Sequence, residues 1–342
     1  MRQLLNTLFV TTQGAYLSRE GETVLVRSNG EKKLQLPIHT LGGIVCFGQV
    51  SCSPPLMGLC AERQVSISFL TENGKFLARV QGPVSGNVLL RREQYRRADD
   101  ERHSAILAQA FVLAKVANSK IVLQRGKRDH PEIPPSAIGS ALIALSRVLT
   151  ELREPQELDV IRGREGDAAR LYFGVFGYLI TAQQESFFFH ERSRRPPLDN
   201  VNALLSFLYT LLVHDVAAAL ETVGLDPAVG YLHRDRPGRP GLALDLMEEF
   251  RGFLADRLAL SLINRQQVSA GGFRTSESGG VVMDEGTRKT VLIAWQERKQ
   301  EQIQHPFLNE RLPVGLLPYV QALLLARYLR GDLDGYPPFI WR

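Results

Sequence analysis

The apolar positions of this chain change rhythm near residue 84. Before it, apolar and polar residues alternate or run in short β-branched stretches, over 4–11, 15–19, 23–27, 33–36 and 41–47. Gly14, Gly21 and Asn29-Gly30 fall between these runs, where a strand must turn. Ser53-Pro54-Pro55 reads as an N-cap with prolines in the first turn, opening a helix that reaches about Arg63. The runs at 65–70 and 75–80 predict a closing hairpin across Glu72-Asn73-Gly74.

After Gly82-Pro83 the apolar residues recur every three or four positions, which is the period of a helix with one buried face. Helices are predicted over 87–98, 101–125, 138–152, 166–181, 201–223, 243–263, 287–304 and 316–329. The segment 267–285, rich in Gly, Ser and Thr, interrupts them as a hairpin or a mobile loop. The fold class expected is α+β: a small N-terminal β-rich domain, 1–84, followed by a larger all-α C-terminal domain, 85–342. A chain of 342 residues is long enough for both, each with its own core.

Composition narrows the class. Hydrophobic residues make up 44% and charged residues 23%, as in ordinary soluble proteins. Cys46, Cys52 and Cys60 are odd in number and lack C-x-x-C spacing, so they read as small buried apolar residues in a reducing cytoplasm. Residues 1–6 lead straight into alternation without a cleavable leader. The longest apolar stretch, 203–213, is too short to span a bilayer, so a soluble cytoplasmic protein without a membrane partner is expected. The net charge of +5 is too small to imply nucleic acid by itself. Its distribution says more, with arginines grouped at Arg91, Arg92, Arg96 and Arg97, at Arg192, Arg194 and Arg195, and at Arg234, Arg236 and Arg239. Any one group by itself reads better as a solvated face.

The common catalytic signatures are missing: no G-x-S-x-G elbow, no P-loop and no dinucleotide fingerprint. What stands out is Glu165, His233, Asp245 and Glu248, each in an apolar, helix-like context. Three oxygen donors and an imidazole suit a hard or borderline divalent cation. Each has a plainer alternative. Glu165 before Gly166 is placed as a first-turn charge favoured by the helix dipole, and His233 as a loop residue. Asp245, Glu248 and Glu249 form a compact acidic patch beside the apolar face of Ala243, Met247, Phe250 and Leu254, which Arg251 alone can neutralise.

Taken in order, 165–173, Asn202 to Tyr209, Gly224-Leu225-Asp226-Pro227 through Leu232-His233, and 242–251 resemble the CRISPR-associated spacer integrase family across the whole chain. The approach Arg194-Arg195-Pro196-Pro197-Leu198-Asp199 is similar to the variant found with type I-C systems. The resemblance implies metal ligands at Glu165, His233 and Glu248, with Asp245 as a further acidic residue of the catalytic site, holding Mg²⁺ or Mn²⁺. It selects Glu248 over Glu249, which spacing alone leaves open.

The activity implied is metal-dependent cleavage of DNA and its transesterification, in which a DNA 3′-hydroxyl attacks a phosphodiester to insert captured DNA into a repeat array. The partners implied are DNA (a duplex prespacer and the repeat array), a second copy of the chain through the β-rich domain, and a small ferredoxin-like second CRISPR-associated protein. Candidate DNA contacts are Arg194, Arg195, Tyr209, Arg234, Arg236, Arg239, Lys289, Arg298 and Lys299. A stand-alone nuclease on branched DNA in repair and a non-catalytic DNA-binding scaffold are the alternatives.

Overall fold

The computed structural model describes residues 6–72, 76–80, 82, 88–131 and 133–341. The tip of the predicted 65–80 hairpin and the rhythm change at 84 lie outside them. The chain forms two units, Met1–Gly86 with Glu285–Lys299, and Asn87–Asp284 with Gln300–Arg342.

The first unit carries strands β1 (Asn6–Val10), β2 (Tyr16–Glu20), β3 (Thr23–Ser28), β4 (Glu31–Pro37), β5 (Leu41–Phe47) and β6 (Ser51–Cys52), then helix α1 (Pro54–Glu62), β7 (Ser66–Leu70) and β8 (Phe76–Val80). They make two four-stranded sheets, ordered β4-β3-β2-β6 and β1-β5-β7-β8. Strand β5 runs parallel to both its neighbours, so α1 serves as the crossover from β5 to β7. The cap works as the sequence implies: Ser53 Oγ accepts from the Leu56 amide at 3.4 Å. Leu17, Val24, Ile44, Leu56 and Ile67 meet in the core, together with Cys46 and Cys60. Burial pushes both of those thiols up to about 12, so they pack as small apolar groups rather than react.

The helix Glu285–Gln300 completes this unit. Gln296 Nε2 donates to the Thr7 carbonyl at 2.8 Å, and Lys299 Nζ lies 3.4 Å from Thr7 Oγ1. Lys289, Arg298 and Lys299 therefore belong to the β-rich unit, whereas the division at 84 puts them with the helical part.

The second unit contains α2 (Val88–Asp99), α3 (Glu101–Asp129), α4 (Pro135–Glu151), α5 (Leu158–Phe176), α6 (Asn200–Thr222) and α7 (Gly241–Phe250). A π-helical stretch, Arg251–Asp256, joins α7 to α8 (Arg257–Asn264). The Gly-rich interruption is a short hairpin, β9 (Phe273–Thr275) with β10 (Val281–Met283). After α9, the helix Glu285–Gln300 already described, come β11 (Gln302–Gln304), β12 (Arg311–Pro313) and α10 (Leu317–Leu329). Residues 302–304, read from their spacing as the end of a helix, pair instead with β12.

Two further differences matter for the site. Spacing starts a helix at Gly166, but α5 begins at Leu158 and carries Glu165 two turns inside it. Gly163 and Gly166 both sit inside this helix, with open space where a Cβ would stand. By length and composition α3 and α6 are each apolar enough to cross a membrane, which the 203–213 stretch alone conceals. More than half of each apolar window is buried inside the protein, the property of a core helix.

The C-terminal segment is stitched to this core. Buried Glu249 accepts from Tyr336 Oη at 2.6 Å, Gln321 Nε2 at 2.8 Å and the Phe339 amide at 2.8 Å. Asn118 Nδ2 donates to the Phe339 carbonyl at 2.9 Å, and its Oδ1 accepts from the Trp341 amide at 2.8 Å. Burial raises Glu249 to about 7, against the three donors that favour its charged form.

The folded state thus holds a proton on Glu249 that the unfolded chain releases near 4.5, and stability contributed at low pH falls as pH rises from about 4.5 through about 7. Glu249→Gln is expected to remove about 3 kcal/mol of that decline, an order-of-magnitude figure. Buried Asp256, raised to about 6 by burial, titrates in the same window in both proteins. The comparison that counts is therefore the difference between wild-type and variant melting curves from pH 4.5 to 8. Parallel curves would contradict the assignment.

Candidate metal and nucleic-acid site

The site is built where α3, α5 and α7 pack in the helical unit. Asp245, on α7, is fully buried. Its Oδ2 accepts from the amides of Tyr231 at 2.6 Å and Leu232 at 2.9 Å, and its Oδ1 from the amide of His233 at 3.0 Å. One carboxylate so organises a whole irregular turn. Gly230 makes this approach possible, since a Cβ there would stand 2.7 Å from Asp245 Oδ2 and 2.7 Å from the Gly241 carbonyl carbon. From α5, Arg162 Nε donates to the Leu232 carbonyl at 2.8 Å and ties the same turn down.

Asp245 Oδ1 also lies 2.6 Å from His233 Nδ1. A carboxylate at that distance holds the proton on Nδ1 and leaves the Nε2 lone pair as the donor for a metal. Asp245 is thus an orienting group for His233, and its oxygens are taken up by that turn.

Three residues on, Glu248 is 2% exposed. Its Oε1 lies 3.1 Å from Arg251 Nη2 and its Oε2 2.9 Å from Lys115 Nζ. Burial pushes this carboxyl up, but the neighbouring cations, Arg251 first and then Lys115, outweigh it and bring the group down to about 2. Glu248 is therefore ionised at any ordinary pH. Lys115, on α3, also contacts Glu165 Oε1, so one ammonium bridges the carboxylates of α5 and α7.

The π-helical stretch lets Arg251 and Asp256 both turn inward, the local widening that often marks functional sites. Burial works against the charge of Arg251, but Glu248, Tyr209 and Glu165 hold it cationic. Asp256 accepts from Tyr209 Oη at 2.6 Å and Tyr172 Oη at 2.9 Å. The Arg192 and Arg251 guanidinium groups lie over the Tyr209 ring, at 5.3 and 4.9 Å from its centroid. A small open pocket follows, lined by Lys115, Ser119, Tyr172, Tyr209, Arg251 and Asp256 among others.

Against these positions the sequence expectations divide. Glu165 and Glu248 are brought to one cation, and His233 lies within electrostatic reach of Glu248. Direct convergence of a three-ligand set is not found: among the described residues no group of three His, Cys, Asp or Glu side chains stands at metal-ligating spacing. The ammonium of Lys115 stands between the two carboxylates instead. The compact acidic patch is corrected too, because Asp245, Glu248 and Glu249 are all buried and serve three separate sets of partners.

The donor set nonetheless suits a divalent ion. Two carboxylates already flank a shared cation, Glu248 Oε2 is buried without an aligned hydrogen bond, and an imidazole is held with Nε2 available. Of the basic candidates in this unit, Arg194, Arg195 and Arg236 are exposed and Arg239 is half-buried. Arg234 is exposed and paired with Asp159 at 3.0 Å. The Tyr209 hydroxyl is turned inward on Asp256.

Lys115 is the residue that sequence reasoning missed. It lies on the buried stripe Ala108, Phe111, Lys115, Asn118 and Val122 of α3, and a lysine on such a stripe is itself the signal.

Residues 8–297 match the family model described as CRISPR associated protein Cas1. The chain belongs to that family. It is 56% identical, over the full length of both chains, to CRISPR-associated endonuclease Cas1 1 of Chlorobaculum tepidum. It is 52% identical, again over both full lengths, to CRISPR-associated endonuclease Cas1 2 of Rhodospirillum rubrum.

Among solved structures, a casposase bound to its integration product shares the fold with a TM-score of 0.84 at 22% identity, covering 99% of this chain and 95% of that one. A Cas6-RT-Cas1–Cas2 complex does so with a TM-score of 0.81 at 21% identity, covering 98% of this chain and 36% of that one. The family to which the ordered motifs point is the one found, and the order of β-rich and helical parts is as expected.

Proposed function

We propose that the chain is a metal-dependent DNA endonuclease and integrase that joins captured DNA into a CRISPR repeat array. The observation that carries this reading is the cation-centred pair Glu165 and Glu248, beside a His233 whose tautomer Asp245 fixes, in a relative of named Cas1 endonucleases. Glu165, His233 and Glu248 would hold Mg²⁺ or Mn²⁺, which would supply Lewis-acid stabilisation of charge developing on a phosphodiester. The protein's part is to keep that ligand set charged and aimed. Arg251 holds Glu248 ionised, and Asp245 keeps the His233 proton on Nδ1. The nucleophile is a DNA 3′-hydroxyl in joining and water in cleavage, and each mode breaks one phosphodiester for the bond it makes.

Exposed Arg194, Arg195 and Arg236 take phosphates beside the site, with Arg234 and Arg239 nearby in sequence. Neutralising Arg194, Arg195 and Arg236 together is expected to weaken duplex binding and to lower the slope of log affinity against log salt by roughly 0.9 for each phosphate left without its arginine. An unchanged slope in a fluorescence-anisotropy titration would count against this assignment. Lys289, Arg298 and Lys299 are proposed as contacts of the β-rich unit to DNA. Tyr209 is proposed to act through Asp256 and the neighbouring arginines.

The further assembly proposed is a homodimer through residues 1–84, with 85–342 catalytic, bridged by a small ferredoxin-like second CRISPR-associated protein. Edge strand β4 carries Glu31, Lys32 and Lys33, charges that oppose pairing along that one edge. Light scattering should give the mass of two chains, and a monomer with full joining activity would overturn the dimer. The 194–199 motif supports the type I-C variant.

The function itself is tested by incubating the protein and Mn²⁺ with a supercoiled repeat-bearing plasmid and duplexes carrying free 3′-hydroxyls. Covalent joining at the repeat borders is expected. Cutting without joining would favour a stand-alone nuclease, and neither reaction would favour a scaffold.

A further inference from the structure

We infer that Lys115 is a resident counter-ion that competes with the divalent cation for Glu165 and Glu248, so that metal loading requires its ammonium to be displaced. This rests on the function proposed above, since both carboxylates belong to the proposed ligand set. The Lys115 side chain is only 9% exposed, and its Nζ contacts Glu165 Oε1 while lying 2.9 Å from Glu248 Oε2. Two cations cannot share those oxygens without strong repulsion in so dry a place. Without any cation, two carboxylates would face each other across α5 and α7, which is costly for a group as buried as Glu248.

Three features make the ammonium displaceable. Its contact with Glu248 Oε2 is close but is not an aligned hydrogen bond, so it holds by charge more than by direction. Glu248 keeps Arg251 on its other oxygen and stays positioned when the lysine leaves. The flexible lysine stem also borders the pocket that Asp256 lines, where another carboxylate can receive the charge. Lys115 thus keeps the ligand set folded and apart from other cations until a divalent ion of higher charge replaces it.

The experiment is calorimetric titration of Mn²⁺ into the full chain, comparing wild type with Lys115→Met and Lys115→Gln, alongside melting temperatures with and without Mn²⁺. Both variants are expected to bind Mn²⁺ at least about tenfold more tightly, because a neighbouring positive charge is gone. Both should melt lower than wild type without the ion and gain more when it is added. Folding of the variants only in Mn²⁺ would support the inference, since the ion then replaces the missing ammonium. Wild-type binding with affinity unchanged or weakened in the variants would overturn the inference alone. A wild-type protein that binds no Mn²⁺ would overturn the function proposed above, and the inference with it.

Discussion

Replacing Glu165 or His233 by Ala is expected to lower both joining and cleavage by at least about a thousandfold, equivalent to roughly 4 kcal/mol of transition-state stabilisation. The consequences for the fold differ by residue. The Glu165 side chain is 28% exposed, and its removal leaves Lys115 still paired with Glu248. That variant should fold. Glu248→Ala instead takes the carboxylate from nearly buried Arg251 and leaves Lys115 with Glu165 alone, and is expected to cost about 3–5 kcal/mol of stability besides the activity. Glu248→Gln is the cleaner probe, because it keeps the shape and removes the charge. Plasmid joining and circular dichroism melts on the same preparations separate the two effects. Joining within tenfold of wild type in the folded Glu165 or His233 variant would contradict the assignment.

Asp245→Asn should show a different pattern. The carboxylate fixes the His233 tautomer and satisfies three backbone amides with two oxygens, whereas an Asn side chain has one acceptor oxygen. Mn²⁺ affinity is expected to fall by about 10–100-fold, as for other groups that orient a ligating histidine. Stability should drop by about 1–3 kcal/mol from the amides left short of a partner. Calorimetric Mn²⁺ titration on the folded variant reads the first effect, and unchanged affinity would mean that His233 does not need its orienting partner.

The strands and helices of this chain were largely legible because their causes are local. Alternation, turn glycines and the Ser53 cap specify the β-rich unit residue by residue, and most helices follow from their apolar period. What failed also has identifiable causes. Gly163 and Gly166 signal a break by propensity, but packing of Ile161 and Ala168 into the core carries α5 through them and puts Glu165 well inside the helix. The π-helical turn at 251–256 leaves the periodicity of 243–263 almost unchanged, so nothing in the spacing shows that Arg251 and Asp256 turn inward together.

Glu165, His233, Asp245 and Glu248 were identifiable as unusual charges in apolar settings. Their division into separate jobs depends on which carboxylate meets which partner across long sequence separations. Lys115 lies 50 residues from Glu165, and Glu249 meets Phe339 from 90 residues away. Such pairings follow from helix packing and have no local trace.

The most direct test of the proposed metal centre is a crystal structure of the protein grown with Mn²⁺, with the ion located by its anomalous scattering. One peak is expected, bounded by a Glu165 oxygen, His233 Nε2 and a Glu248 oxygen, with the Lys115 ammonium moved off both carboxylates. A peak elsewhere, or none with Lys115 still bridging Glu165 and Glu248, would contradict it.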